Sequence, residues 1–147
     1  MNNSSCIVRT LCIGGIALLG GCIITAPQFK PEPASTDPKT LQRTALSGSG
    51  QRLGFYYMVN PDCSPGGVPK ILVEQQPAHG AVAISDAQDY TNFPASNQRY
   101  GCNKQKSPGA VLSYTSESGY KGSDQVSVKA IYSDGGVKTV NYAITVE

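Results

Sequence analysis

Gln125-Val126-Ser127-Val128-Lys129-Ala130-Ile131-Tyr132, then Ser133-Asp134-Gly135-Gly136, then Val140-Asn141-Tyr142-Ala143-Ile144-Thr145-Val146 close the chain. Val126, Val128, Ala130 and Tyr132 fall on alternate positions, as do Val140, Tyr142, Ile144 and Val146. A period of two puts one side chain in and the next out, which is the signature of a half-buried strand. Asp and Gly between the two runs tolerate positive φ, so the stretch predicts a hairpin.

Working outward, similar runs recur upstream. Residues 52–59 place Leu53, Phe55, Tyr57 and Val59 on one face. Residues 69–76 carry Ile71, Leu72 and Val73, residues 80–85 alternate Ala81 and Ala83 against Val82 and Ile84, and residues 110–115 present Val111, Leu112 and Tyr114. No stretch holds a helical period. The expected fold is all-β, an immunoglobulin-like β-sandwich of six to seven strands over 51–147, with turn signals about every ten residues. Sparse charge (15%), abundant Gly and Pro and the absence of Trp agree with short strands and tight turns. The net charge of +2 is far from the basic footprint of a phosphate-neutralising protein, so nucleic acid is not expected as a partner.

The N-terminal part reads as targeting. Arg9 precedes an apolar run from Leu11 to Leu19, too short to span a bilayer, which needs about 20 apolar residues. Leu19-Gly20-Gly21-Cys22 follows and resembles the lipobox of bacterial lipoproteins. The resemblance implies a signal peptide over 1–21 and a diacylglycerol thioether on Cys22, a membrane anchor to which further fatty acid, such as palmitate, is added. An ordinary secretory signal cut after Ala26, with Pro27 then following the cut, and a short uncleaved anchor are the alternatives. Ile23 after the cysteine, where Asp would favour inner-membrane retention, points to the outer membrane if the source has one. Residues 22–50 are expected to be a flexible tether: four of the ten prolines (Pro27, Pro31, Pro33, Pro38) lie there among Ser and Thr, and no apolar period survives.

Of five cysteines, Cys6 and Cys12 leave with the signal and Cys22 carries lipid. Cys63 and Cys102 remain, an even pair in an exported chain, and a disulfide between them is expected, two free buried thiols being the alternative.

Gln76-Pro77-Ala78-His79-Gly80-Ala81-Val82, Tyr114, Gly119-Tyr120-Lys121-Gly122-Ser123-Asp124 and Asp134-Gly135 before a closing valine strand resemble, in that order, the bacterial cadherin-like, immunoglobulin-fold repeats. The resemblance covers roughly residues 71–147. It implies a β-sandwich of the kind used in surface and extracellular proteins for spacing and adhesion. The cysteine pair and the segment 86–108 are additions to the common pattern.

No catalytic constellation stands out. His79 is the only histidine, so no His cluster for a metal exists, and no serine has a nucleophile-elbow context for a relay through His79 with Asp86 or Asp124. Asp124 with Asp134 or Asp62 could offer oxygens to calcium, but ten scattered acids form no calcium loop. Asp124 is expected instead to satisfy backbone donors at the corner after Gly122, with the Tyr120 hydroxyl donating locally. No cofactor is expected. Segment 86–108 is the distinctive part: a long excursion with Tyr90, Phe93, Arg99 and Tyr100 as candidate partner contacts, alongside Lys104 and Lys106. Alternatively, 99–102 is an extra strand and Phe93 fills the core edge.

The expected function is that of an envelope lipoprotein whose domain binds, or structurally supports, a protein or glycan of the envelope. An inhibitor of a cell-wall hydrolase is the alternative, and a hydrolase of envelope polymers a third, for which paired carboxylates would be needed. The lipobox has a direct test: Cys22→Ala should abolish incorporation of labelled fatty acid and either block signal cleavage or release the protein from the membrane fraction. Undiminished labelling of the variant would refute the anchor.

Overall fold

The computed structural model describes residues 38–147, and the lipobox and signal segment lie outside the described residues. Eight strands make up two four-stranded sheets: β1 (Lys39–Ala45), β2 (Gly50–Val59), β3 (Pro65–Gly67), β4 (Lys70–Gln75), β5 (Gly80–Tyr90), β6 (Lys106–Ser116), β7 (Gly122–Ile131) and β8 (Val137–Val146). One sheet runs β1-β8-β7-β4 and the other β3-β2-β6-β5. A single core lies between them, built from inward residues such as Leu53, Leu112, Tyr114, Val126, Val128 and Ile144.

The C-terminal hairpin forms as its alternation requires. Ile131 pairs with Val137 and Gly122 with Val146, so the buried Val126, Val128 and Ala130 share a face with buried Val140, Tyr142, Ile144 and Val146. Gly135 takes φ 84°, Tyr132 N donates to Gly136 O at 2.8 Å, and Gly136 N donates to Asp134 Oδ1 at 2.9 Å.

Two expectations need correction. The tether was expected to reach residue 50, yet β1 lies inside it, pairing in parallel with β8 from Lys39↔Val140 to Ala45↔Val146. Its own sequence shows little apolar pattern because, of the inward-turned Leu41, Arg43 and Ala45, one is charged; the ordering comes from the backbone edge that β8 offers. In β2, Leu53, Phe55, Tyr57 and Val59 do not share a face. Register shifts at Arg52/Gly54 and Met58/Val59 bring Leu53, Tyr56 and Val59 inward and leave Phe55 and Tyr57 half-exposed. Bulges of this kind re-aim side chains. Gly54 sits at the first shift, where an added Cβ would run into the Tyr142 hydroxyl. Tyr56 and Tyr142 meet there, hydroxyl to hydroxyl, at 2.7 Å in the interior. Burial pushes both phenols up, so each stays a neutral hydrogen-bonding group.

Asp124 braces one end of the molecule. Its Oδ1 accepts from Ala78 N (2.8 Å) and Gln125 N (2.8 Å); its Oδ2 accepts from His79 N (3.0 Å) and Tyr114 Oη (2.9 Å). A side chain of β7 thereby holds the β4–β5 connection and a tyrosine of the opposite sheet. The role expected for it, satisfying backbone donors, is what the geometry provides. Beside it His79 stacks on Tyr120, ring centres 4.1 Å apart, and the Tyr120 hydroxyl donates to Ser123 O at 2.8 Å.

Burial alone would push the Asp124 carboxyl up, but the donors of Ala78, His79, Gln125 and Tyr114 outweigh it and hold it below its ordinary value. A carboxyl lowered by folding contributes stability that is complete above its unfolded pKa of about 4 and is lost as pH falls through the lower native value. Asp124→Asn presents an amide donor to groups that are themselves donors. The variant should lose roughly 2–3 kcal/mol at neutral pH. Its stability should also fall less steeply below about pH 4, which urea titrations across that range will measure. An unchanged acid slope would show that Asp124 does not supply it.

Candidate binding groove

The connection between β5 and β6 is the segment singled out in the sequence, and most of it is built structure. Residues 86–90 extend β5 and residues 106–108 begin β6. Between them Asn103 acts as a clasp: its Oδ1 accepts from Thr91 Oγ1 (2.8 Å) and Phe93 N (2.9 Å), and its Nδ2 donates to Phe93 O (2.9 Å). Tyr100–Lys104 form a 3₁₀ turn, so the extra strand at 99–102 is not there. Asn and Gly in Gly101-Cys102-Asn103 suit a turn better than a ladder.

The Cys63–Cys102 disulfide joins this turn to the one after β2, with Cα atoms 5.3 Å apart. Cys63 has φ 67°, an unusual conformation for a residue with a Cβ. Its neighbours hold it there: Cys63 N donates to Asn60 O, Asn60 N to Ser64 O, and Asp62 Oδ1 accepts from the Ser64 hydroxyl and amide. Gln105 Nε2 adds a bond across to Cys63 O at 3.0 Å.

Pinned in this way, the connection folds back over β2. Asn92 N donates to Tyr57 Oη at 2.8 Å, and Phe93 meets the Tyr57 ring edge-on with centres 5.4 Å apart. Tyr57 in turn lies 5.3 Å from Phe55, over which the Arg52 guanidinium sits at 5.1 Å while pairing with Asp89. β3 covers β2 only at Met58 and Val59, so the rest of that edge faces β1 across a gap.

The gap is a groove of about 420 Å³. Rings of Tyr56, Tyr57, Phe93, Tyr132 and Tyr142 line it, and its charged groups are Lys39, Arg43 and Lys138. No carboxylate lines it among the described residues. Arg43 bridges the two edges: its Nε donates to Leu53 O at 3.0 Å and its guanidinium lies 5.6 Å from the centre of the Tyr142 ring. The groove continues past Tyr57 in both directions, to Arg52 and Tyr90 at one end and to Arg99 and Asp134 at the other.

The four residues proposed as partner contacts therefore separate. Phe93 is half-buried and lines the groove, Arg99 and Tyr90 stand at opposite ends, and Tyr100 is exposed and lines none of these three sections. Arg99 Nε is buried without a hydrogen-bond partner among the described residues. Lys39, Arg43, Lys138, Tyr57 and Tyr132 were not anticipated. Lys39 and Arg43 were hidden by reading β1 as tether, and Tyr57 and Tyr132 by assigning both to core faces. No group of three or more His, Cys, Asp or Glu among the described residues is placed to hold a metal ion, and no helix there is long and apolar enough to cross a membrane.

No protein family and no curated protein matches this chain. Among solved structures it is similar to the solution structure of Amebosin, at 9% identity with a TM-score of 0.39, over 75% of this chain and 98% of that one. A similarity of that size carries no argument here.

The disulfide closes a loop across a sequence separation of 39 residues, and loop-closure entropy makes such a crosslink worth roughly 4 kcal/mol. Cys63→Ala/Cys102→Ala should lower Tm by about 15–20 °C, as read by circular dichroism. Because the crosslink also holds the loop over β2, the half-buried Tyr57–Phe93 contact should loosen first, visible as faster amide exchange at Asn92 and Phe93. A Tm within a few degrees of the unaltered protein would show that the Asn103 clasp suffices.

Proposed function

We propose that this protein is an envelope lipoprotein, held to the membrane by lipid on Cys22, whose immunoglobulin-like domain binds a protein or glycan of the envelope. The observation that carries the binding role is the groove between β1 and β2, with aromatic walls, cations of one sign and a disulfide-pinned rim. Aromatic and arginine side chains supply contact area at low ordering cost and are enriched where proteins bind partners. A pinned rim gives up less conformational entropy on association than a free loop.

The immunoglobulin-like reading rests on strand order. β2-β6-β5 stack against β8-β7-β4, with the first strand joined in parallel to the last. The turn at Pro77-Ala78-His79-Gly80, locked by Asp124, supports kinship with the cadherin-like repeats, and adhesion is then the analogous role. We assign the chain no catalytic role. Placement at the outer membrane, where the source has one, is part of the same reading and is favoured by Ile23 in place of Asp after the cysteine.

An inhibitor of a cell-wall hydrolase is the second reading, favoured by the exposed Tyr100 on the 3₁₀ turn, which lines none of the groove's sections. Retrieval of partners from solubilised membranes with the full lipidated chain separates the two. A groove-binding module should lose its partner with Phe93→Ala or Arg99→Ala and keep it with Tyr100→Ala, with circular dichroism confirming each fold. Loss confined to Tyr100→Ala would favour the inhibitor. Retention of every captured component by all three variants, and by Tyr90→Ala, would refute binding through this region.

A further inference from the structure

We infer that the groove between β1 and β2 is a binding site for an anionic oligosaccharide. The inference rests on the binding-module reading above and names the ligand class of the same site. Three features of the groove converge on it.

The first is charge. Lys39, Arg43 and Lys138 all face the groove's central section, where no carboxylate does among the described residues. Asp134 lines the Arg99 end and accepts from the amide of Gly136, and Asp89 is paired with Arg52 of the other end. The carbonyls of Leu53 and Gln42 take two of the five N–H donors of Arg43 and fix its position, and the two exposed lysines add ammonium groups open to a ligand. A neutral or cationic ligand would leave those charges unused.

The second is the walls. The aliphatic face of a sugar ring packs on an aromatic ring, while its hydroxyls need donors and acceptors at the ring's edge. Tyrosine offers both an apolar body and a polar tip. Tyr57, Tyr132 and Phe93 are half-buried, so each has a ring that is fixed yet reachable. A volume of about 420 Å³ falls within the span of small-ligand sites, about 300–1,000 Å³.

The third is the backbone, which disfavours an extended peptide. Strand addition needs an uninterrupted ladder of free edge groups. The β2 edge is broken by register shifts at Arg52/Gly54 and Met58/Val59, and Leu53 O is already taken by Arg43. On the β2 side, therefore, side chains and not main chain are what the groove presents, and an acidic peptide offers its rings less apolar ring face than a sugar does.

The test uses the full lipidated chain in detergent, titrated with tetragalacturonate, a heparin-derived tetrasaccharide, neutral cellotetraose and tetraglutamate. At least one of the two anionic sugars should bind roughly tenfold or more tightly than both cellotetraose and tetraglutamate, and should weaken as salt is raised. Lys39→Gln/Lys138→Gln, changes at two exposed positions, should lower that affinity about tenfold and flatten its salt dependence. Phe93→Leu, which keeps an apolar side chain against Tyr57 and loses the ring, should lower it severalfold. Equal binding of cellotetraose would overturn the role of charge, and equal binding of tetraglutamate the role of the rings. An unchanged affinity in the lysine variant would move the site elsewhere. If neither anionic sugar binds while partners are still retrieved from membranes through Phe93 and Arg99, the oligosaccharide inference fails and the binding module stands.

Discussion

The hydroxyls of Tyr56 and Tyr142 meet at 2.7 Å between the two sheets, and the path β2 takes to reach that contact shapes the rest of this face. A phenol buried without a partner costs on the order of 1–3 kcal/mol. Here one hydroxyl donates and the other accepts, so neither oxygen is left without a partner, and two large polar rings can fill core volume that apolar residues would otherwise occupy. The fit needs Gly54, since any Cβ there would meet the Tyr142 hydroxyl. It also needs the register shift beside Gly54, because an unbroken period of two would send Tyr56 outward. Once Tyr56 is inside, Phe55 and Tyr57 must face out, and the aromatic wall of the groove follows from the same shift.

The outward rings would be a liability on a bare sheet. The β5–β6 connection covers them in part, and its own order depends on groups distant in sequence. Asn103 closes it locally, Tyr57 Oη accepts from Asn92, and the disulfide ties its far end to the turn after β2. The left-handed Cys63 fits this arrangement: a costly backbone conformation persists only where its surroundings over-determine it, and Asn60, Ser64 and Gln105 do so. The result is a groove whose rim is set before any ligand arrives.

Alternation made the C-terminal hairpin and its inward set legible, and the cysteine arithmetic identified the bridge. Asp124 was legible because a lone buried acid at a corner has few uses other than to accept backbone donors. What stayed hidden had physical causes. β1 has only Leu41 and Ala45 as apolar residues on its inward face, with Arg43 between them, and takes its order from β8, so its own residues distinguish it little from the proline-rich stretch before it. The bulges in β2 are written in Gly54 alone, and a single glycine is compatible with several local geometries. Period-two reasoning carried through a bulge inverts every residue beyond it, which is why Tyr57 was assigned to the core and Tyr56 was not. Of the segment 86–108, the residue types were a fair guide for Phe93, whereas Tyr100 shares its composition and not its place.

A plainer account of the groove's cations is that they protect open strand edges from pairing with other chains, a common use of charged side chains on edge strands. The other two open edges of this molecule test that account. β4 carries Lys70 and Glu74, the latter paired with Lys129 of β7, and β5 carries Asp86 and Asp89, the latter paired with Arg52. Both signs appear on β4, and on β5, where both charges are acidic, Asp89 is paired, so partners neutralise part of the charge on each edge. Lys39 and Arg43 of β1 and Lys138 of the adjacent strand β8 gather beside ringed walls, with no acid among the described residues that line that central section. Concentrating like charge costs stability through mutual repulsion. A counter-charge from beyond the described residues is the element that would make this arrangement favourable.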